Sequence, residues 1–153
     1  EVGTFTGLSA LAIARGLRPD GRLFCFDVSE EWTAIGRRYW EKAGVADRIE
    51  LRIGPAAPAL RTLPEEPWLD FAFIDADKGG YPVYWDEIVS RLRAGGLVAV
   101  DNVLWEGEIV QADKTGEDVE AIRAFNERVL ADERVESVML AVADGLTLAR
   151  RVG

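Results

Sequence analysis

The chain has 153 residues, of which 48% are hydrophobic and 29% charged, and we expect one globular domain over residues 1–153. The net charge of -9 disfavours binding to nucleic acid or to an anionic membrane surface, so we expect neither partner. No apolar run is long enough to span a bilayer and no signal peptide is visible, which predicts a cytoplasmic protein.

The chain opens at Glu1 without an initiator methionine, inside a predicted strand-to-helix turn that ends at Gly7. We therefore expect a piece of a longer protein. Phe5 stands where a dinucleotide fingerprint needs glycine, so binding of a pyrophosphate is disfavoured. The Glu1 carboxylate suits a ligand with an ammonium group. A ligand carboxylate can be received at the N-terminus of the next helix, predicted over residues 6–18, by Thr4, Thr6 and Ser9.

The next apolar segment, residues 22–28, predicts a strand that contains Cys25 and ends near Asp27. Cys25 is the single cysteine and is predicted to lie in the core. Asp27 follows Gly7 by 20 residues, where a carboxylate can accept hydrogen bonds from both ribose hydroxyls. A ligand with ammonium, carboxylate and ribose groups favours S-adenosylmethionine over NAD. The structural alternative is a tight turn and a carboxylate at the start of a helix.

The middle of the chain alternates between helical and extended patterns, which is typical of βαβ units in a parallel sheet. A helix is predicted from the N-cap Ser29 to Gly44, with Trp32, Ile35, Tyr39 and Ala43 on its apolar face. Further elements are predicted as a strand over 49–53, a helix over 58–63, a buried strand over 69–74, a helix over 82–93 and a strand over 97–100.

Carboxylates follow two of these strands, at the points where the strands end. Asp75 and Asp77 precede Lys78, and Asp101 and Asn102 follow the next strand. Since the ends of parallel strands meet at one edge of a sheet, Asp75, Asp101 and Asn102 are expected to converge. Their oxygens are hard ligands for Mg²⁺, Ca²⁺ or Mn²⁺, and the chain has no histidine to bind softer metals. The alternatives are helix capping for the acids and a salt bridge for Lys78, instead of a general base.

The last third of the chain begins with a polar loop over 106–116, which is predicted to be mobile. An amphipathic helix is predicted over 117–132, and a hairpin over 135–142 and 146–151 that turns at residues 143–145. The apolar face of this helix consists of Val119, Ile122, Phe125, Val129 and Leu130.

These motifs resemble the metal-dependent O-methyltransferase family that includes caffeoyl-coenzyme A and catechol O-methyltransferases. Matching stretches run the length of the chain, and the most specific pair is Asp-Ala-Asp-Lys at 75–78 with Asp-Asn-Val-Leu-Trp at 101–105. Others are 1–9, 27–29, 54–56, 73–78 with Tyr81, 95–97 and 144–148. Gly80 and Glu106 depart from the asparagines of plant members, which argues against plant-type acyl-coenzyme A specificity.

The resemblance implies an α/β fold, a doubly wound, mostly parallel, seven-stranded Rossmann-like sheet that ends in an antiparallel hairpin. It implies that the metal is held by Asp75, Asp101 and Asn102. It implies contacts to the cofactor from Glu1, Gly3, Thr4, Ser9, Asp27, Ala56 and Asp77. It also implies N-terminal helices, lacking here, and a homodimer of the full-length protein.

The resulting hypothesis is methyl transfer from S-adenosylmethionine to a hydroxyl of a small catechol-like or vicinal-diol acceptor, with Lys78 and Asp75 as catalytic residues and a divalent cation as a second cofactor. Three alternatives remain open. The chain could be a metal-independent small-molecule methyltransferase or a module that binds S-adenosylmethionine without catalysis. A nicotinamide dehydrogenase is opposed by Phe5.

Overall fold

The computed structural model describes residues 1–153, which form two compact units, Glu1–Ala59 and Leu60–Gly153. The helices are α1 (Leu8–Gly16), α2 (Glu30–Lys42), α3 (Ala56–Leu60), α4 (Tyr81–Val89) and α5 (Glu117–Leu130). The strands are β1 (Leu23–Asp27), β2 (Ile49–Ile53), β3 (Leu69–Ile74), β4 (Leu92–Asp101), β5 (Val135–Leu140) and β6 (Leu146–Arg151). None of the helices has the length and apolarity that crossing a membrane requires.

In the first unit, β1 and β2 pair in parallel over their whole lengths, from Leu23 opposite Ile49 to Asp27 opposite Ile53. Val2 adds an isolated parallel bridge to Phe26. The apolar side chains behind this pair form a core made of Ala10, Ala14, Leu23, Cys25, Trp40 and Val45. The prediction that Cys25 lies in the core is therefore confirmed.

The predicted apolar face of α2 is wrong. Trp32 and Tyr39 are 45% and 54% exposed, whereas the residues that α2 buries are Thr33, Gly36 and Trp40. The predicted N-cap is correct, because the Ser29 hydroxyl accepts a hydrogen bond from the Trp32 backbone N–H at 3.2 Å. The burial of Trp40 rotates the helix about its axis relative to the prediction.

The reason for this rotation is a close approach between α2 and the turn that begins α1. The Trp40 indole N–H donates to the Gly7 carbonyl at 2.9 Å. A Cβ atom built on Gly7 would lie 2.7 Å from Trp40 Cζ2 and 2.9 Å from the Gly36 Cα. Gly7 also has a φ of 76°, in the left-handed region that favours glycine. Gly7 thus serves helix packing in this structure.

The second unit contains a mixed four-stranded sheet in the order β3-β4-β6-β5. β3 and β4 are parallel, and β6 runs antiparallel to both β4 and β5. The predicted C-terminal hairpin is confirmed, with Ala143 and Gly145 at positive φ in its turn. β6 lies between β4 and β5, so the hairpin extends the parallel pair as part of one sheet.

The predicted single sheet of seven strands is not found. The chain has six strands, in one sheet of two and one of four. Val2 lies where a further strand would pair with β1, but one bridge provides too few hydrogen bonds to form a strand. The α/β class and the antiparallel hairpin agree with the prediction.

The boundary between α4 and β4 also differs from the prediction, which extended the helix to Arg93. The helix ends at Val89 and the strand begins at Leu92, opposite Leu69 of β3. The Arg91 carbonyl accepts hydrogen bonds from the backbone N–H groups of Trp68 and Leu69, both at 2.9 Å. Because of these hydrogen bonds between distant parts of the chain, the residues after Val89 do not form the last helical turn that the local pattern favours.

α5 buries the predicted face with one exception. Val119, Ile122, Phe125 and Val129 are buried, but Leu130 is 85% exposed. The exception lies at the last residue of the helix, which is followed by a turn into β5.

Candidate active site

The turn from Glu1 to Gly7 is held against the end of β1 by backbone hydrogen bonds. The Gly3 N–H donates to the Phe26 carbonyl at 2.9 Å, and the Phe26 N–H donates to the Glu1 carbonyl at 3.0 Å. Gly3 has a φ of 89°, which lets the chain leave the bridge and bend toward α1. Ser9 lies in the first turn of α1 and is half-buried.

Asp27 shapes this turn from the end of β1. Its Oδ2 accepts hydrogen bonds from the backbone N–H groups of Thr4 and Phe5, at 2.9 and 2.7 Å. Its Oδ1 accepts the Ser29 N–H at 2.8 Å. A carboxylate has about four lone-pair positions, so three backbone donors leave roughly one position for another donor.

The Glu1 side chain is 8% exposed, and its Oε1 is buried without a hydrogen-bond partner. Its Oε2 accepts a hydrogen bond from the Cys25 thiol at 3.4 Å. Because an unpaired buried acceptor is costly, this oxygen fits a site where a ligand donor completes the hydrogen bonding. Burial, followed by the charge of Glu1, raises the pKa of Cys25 to about 12, so the thiol stays protonated.

Ala56, the remaining predicted cofactor residue of the first unit, begins α3 and is buried. The loop before it is tied to β1, because the Gly54 N–H donates to the Asp27 carbonyl at 2.9 Å. The structure thus brings together the turn, Asp27 and the loop that leads to Ala56.

In the second unit, a set of residues that we call the lysine cluster consists of Asp75, Lys78, Tyr81, Asp101 and Asn102. The Lys78 Nζ lies 3.5 Å from Asp75 Oδ1 and 3.1 Å from Asn102 Oδ1. Lys78 is 7% exposed, whereas the Asp75 side chain is 41% exposed. Side-chain oxygens of Asp75 and Asn102 therefore converge on one positive charge, as predicted from strand order for these two of the three residues.

Tyr81 links Lys78 to Asp101, a role that was not predicted from the sequence. Its hydroxyl accepts a hydrogen bond from Lys78 Nζ and donates to the Asp101 carbonyl at 2.9 Å. Tyr81 is fully buried. It begins α4, three residues after Lys78, and this spacing was the available signal.

Burial changes the acid–base properties of the cluster. It lowers the pKa of Lys78 below that of an ordinary lysine, although the negative charge of Asp75 acts in the opposite direction. Burial, with Asp75 and Asp101 adding to it, raises the pKa of Tyr81 far above its usual range. Tyr81 is therefore a hydrogen-bond donor at all relevant pH values, and Lys78 is the more readily deprotonated group.

Asp101 and Asn102 form a compact turn at the end of β4. The Asn102 backbone N–H donates to Asp101 Oδ1 at 2.7 Å, and Asn102 has a φ of 56°. The chain contains no group of three or more His, Cys, Asp or Glu residues that could hold a metal. The predicted ligands are not such a group, because one of them is the amide of Asn102. Their carboxylate and amide oxygens are nevertheless the type of ligand that hard divalent cations prefer.

The loop that follows, Trp105–Val110, contains short helical turns interrupted by a kink at Glu106 and Gly107, whose φ values are 52° and 76°. The Trp105 ring centroid lies 5.7 Å from Lys78 Nζ. Trp105 and Glu106 both have positive φ, 49° and 52°. Arg123 of α5 contacts the loop by donating to the carbonyls of Glu108, Ile109 and Gln111. The mobility of this loop stays a prediction.

Asp77, the predicted cofactor residue of the second unit, is exposed, and its Oδ1 accepts a hydrogen bond from the Tyr84 hydroxyl at 2.7 Å. A Cβ atom on Gly80 would lie 2.5 Å from the Tyr84 ring. The glycine that departs from the family pattern thus leaves room for the tyrosine that holds Asp77.

With this geometry in place, comparison with known proteins identifies relatives. The chain matches the O-methyltransferase family over residues 1–152. It is 42% identical over 156 residues to probable caffeoyl-CoA O-methyltransferase 1 of Dictyostelium discoideum. This alignment covers 99% of this chain and 68% of that protein.

Solved structures agree with this result. An O-methyltransferase of Streptomyces achromogenes involved in tomaymycin synthesis, solved in complex with SAM, superposes with a TM-score of 0.90 at 31% identity and covers 99% of this chain and 71% of that one. An O-methyltransferase of Bacillus cereus in complex with SAH gives a TM-score of 0.88 at 34% identity, covering 98% and 71%. The chain therefore belongs to the O-methyltransferase family, which confirms the family and the enzyme class expected from its motifs.

Proposed function

We propose that this chain transfers a methyl group from S-adenosylmethionine to a hydroxyl of a small catechol-like or vicinal-diol acceptor, with the help of a divalent cation. The observation that carries the proposal is that Asp75, Asp101 and Asn102, whose oxygens suit a hard divalent cation, follow directly on or end the adjacent parallel strands β3 and β4. The names of the relatives support the choice of reaction, because caffeoyl-CoA contains a catechol and two related structures hold SAM or SAH.

For the cofactor, we propose that Glu1 binds the ammonium group of S-adenosylmethionine, since its Oε1 is buried without a partner. Gly3 and Thr4 lie in the same turn, and Ser9 follows it in the first turn of α1. Asp27 has roughly one free acceptor position, which suits one ribose hydroxyl better than two. Ala56 and Asp77 complete the proposed cofactor set.

For the metal, we propose that Asp75, Asp101 and Asn102 are the ligands. A bound divalent cation would supply a Lewis acid that eases ionisation of the acceptor hydroxyl. Lys78 is then the group that holds or receives a proton beside the acceptor, because burial lowers its pKa. Tyr81 positions both Lys78 and the Asp101 carbonyl. The protein contributes mainly orientation and electrostatics, since the sulfonium methyl is already activated.

A second candidate is a metal-independent methyltransferase. It is favoured by the Lys78 ammonium, which itself lies between the Asp75 and Asn102 oxygens and can balance their charge. The remaining elements of the proposal are one methyltransferase domain over residues 1–153, a cytoplasmic location, a small-molecule acceptor rather than nucleic acid, and a homodimer of the full-length protein.

Cation binding separates the two candidates without reference to turnover. Titration of Mn²⁺ into the parent, Asp101→Asn and Asn102→Ala proteins, followed by electron paramagnetic resonance, should show binding by the parent alone. Asp113→Ala is a matched control, because Asp113 is an exposed carboxylate. Methyl transfer to a panel of catechols should then require Mg²⁺ and stop on addition of a chelator. Transfer that continues in the chelator would reject the metal mechanism.

A further inference from the structure

The motif Asp144-Gly145, in the turn of the β5–β6 hairpin, has no role in the proposed chemistry, yet it contacts the loop that leaves the lysine cluster. The Asp144 carbonyl accepts the Leu104 N–H at 2.9 Å, and the Gly145 carbonyl accepts the Val103 N–H at 3.3 Å. The Asp144 side chain adds a third hydrogen bond, because its Oδ1 accepts the Glu106 backbone N–H.

The approach of this turn to the loop depends on the glycine. A Cβ atom on Gly145 would lie 2.5 Å from Leu104 Cγ and 2.9 Å from the Leu104 nitrogen, and Gly145 has a φ of 84°. A further hydrogen bond comes from α5, where the Asn126 side chain donates to the Val103 carbonyl at 2.8 Å. Val103 is fully buried, and the start of the loop is held by hydrogen bonds to both the hairpin turn and α5.

The conformation that these contacts hold is one that the loop would not adopt alone. Trp105 and Glu106 are consecutive non-glycine residues at positive φ, and such residues keep this conformation only where their surroundings determine it. The backbone N–H of Glu106, the second of these residues, donates its hydrogen bond to the Asp144 carboxylate. With this conformation, the Trp105 ring lies 5.7 Å from the Lys78 ammonium, which in turn contacts Asn102.

We propose that Asp144 is a positioning residue, whose carboxylate holds the loop after β4 in the shape that places Trp105 over Lys78. The inference rests on the proposed function, because it concerns the position of the loop on the side of the site where the methyl acceptor would bind. Asp144 acts through the Glu106 N–H and forms no hydrogen bond with a residue of the lysine cluster. What Asp144 provides is one hydrogen-bond acceptor for the Glu106 N–H, so the amide oxygen of an asparagine at this position should serve equally well.

The test compares Asp144→Ala with the isosteric Asp144→Asn. The fluorescence of Trp105 is isolated by subtracting the spectrum of a matching protein that also carries Trp105→Phe. Asp144→Ala should shift this Trp105 emission to longer wavelength and increase its quenching by acrylamide. Asp144→Asn should keep the parent spectrum, as should Asp113→Ala, a substitution of an exposed aspartate. Circular dichroism of each protein reports whether it is folded.

A second measurement uses turnover. Asp144→Ala should raise KM for the acceptor by roughly fivefold or more, the factor that corresponds to one hydrogen bond, and leave KM for S-adenosylmethionine unchanged. If Asp144→Ala does not fold, Asp144→Glu takes its place, because it keeps the charge and moves the oxygens by one methylene.

An unchanged Trp105 signal in Asp144→Ala would overturn the inference, as would an Asp144→Asn protein that behaves like Asp144→Ala. Equal losses of affinity for acceptor and cofactor would also overturn it, since they would indicate a general structural role. If the parent methylates no acceptor, the proposed function fails, while the fluorescence comparison still decides the role of Asp144.

Discussion

Replacing Gly7 by alanine should destabilise the chain by roughly 2–5 kcal/mol, because two separate costs combine. The new Cβ would lie 2.7 Å from Trp40 Cζ2 and 2.9 Å from the Gly36 Cα, and the latter is backbone that cannot turn aside. Overpacking of this kind costs about 1–3 kcal/mol. The φ of 76° adds about 1–2 kcal/mol for a residue with a side chain.

Two other glycines of the first unit separate these costs. A Cβ on Gly36 would lie 2.9 Å from Trp40 Cζ2, but Gly36 lies inside α2, where alanine gains about 1 kcal/mol of helix propensity. Gly36→Ala should therefore cost less, roughly 0–2 kcal/mol. Gly16, at the end of α1, has nothing within 4 Å of an added Cβ, so Gly16→Ala should be neutral or stabilising by up to about 1 kcal/mol.

The assay is urea denaturation followed by circular dichroism, with free energies of unfolding extrapolated to water at a common slope. The expected order of destabilisation is Gly7→Ala, then Gly36→Ala, then Gly16→Ala. A Gly7→Ala protein as stable as the Gly16→Ala protein would refute the reasoning, since it would mean that the helices separate at little cost.

Two further predictions concern ionisable groups, one buried and one half-buried. Because burial raises the pKa of Cys25 to about 12, iodoacetamide at about pH 8 should label the thiol only after denaturation; rapid labelling of the native protein would contradict its place in the core. Asp132 accepts hydrogen bonds from Arg134 and from the Trp85 indole, at 2.7 and 2.8 Å, and these lower its pKa well below the usual range. A depressed carboxyl pKa stabilises the fold only while the group is ionised, so the stability advantage of the parent over Asp132→Asn should be full above about pH 5 and decrease as the pH falls below about 4. Denaturation at several pH values measures this, and an advantage independent of pH would show that the Asp132 charge contributes nothing.

Local patterns were sufficient to predict most of the elements and the convergence at the lysine cluster. The Ser29 cap and the strand over residues 49–53 depend on nearby residues, and both agree with the structure. The convergence of Asp75 and Asn102 follows from strand order, because neighbouring parallel strands end at one edge of a sheet.

What could not be predicted depends on contacts between residues distant in the chain. The buried face of α2 is set by the Trp40 hydrogen bond to Gly7, 33 residues away, which no helical periodicity reveals. The end of α4 is set by hydrogen bonds to the Arg91 carbonyl from residues before β3. Tyr81 and Asp144 act through backbone groups of other segments, and hydrogen bonds to backbone leave no pattern of matched side chains in the sequence.

The place of β6 between β4 and β5 also bears on how the second unit is made during synthesis. β6 is synthesised after β4 and β5, yet it provides the hydrogen bonds that join β4 to β5. Until Leu146–Arg151 has emerged, β4 and β5 each present a free edge, and unpaired edges are the surfaces through which nascent chains aggregate. Completion of this sheet therefore has to wait for the synthesis of β6, and a pause in translation just before β6 should increase the dependence of the chain on chaperones.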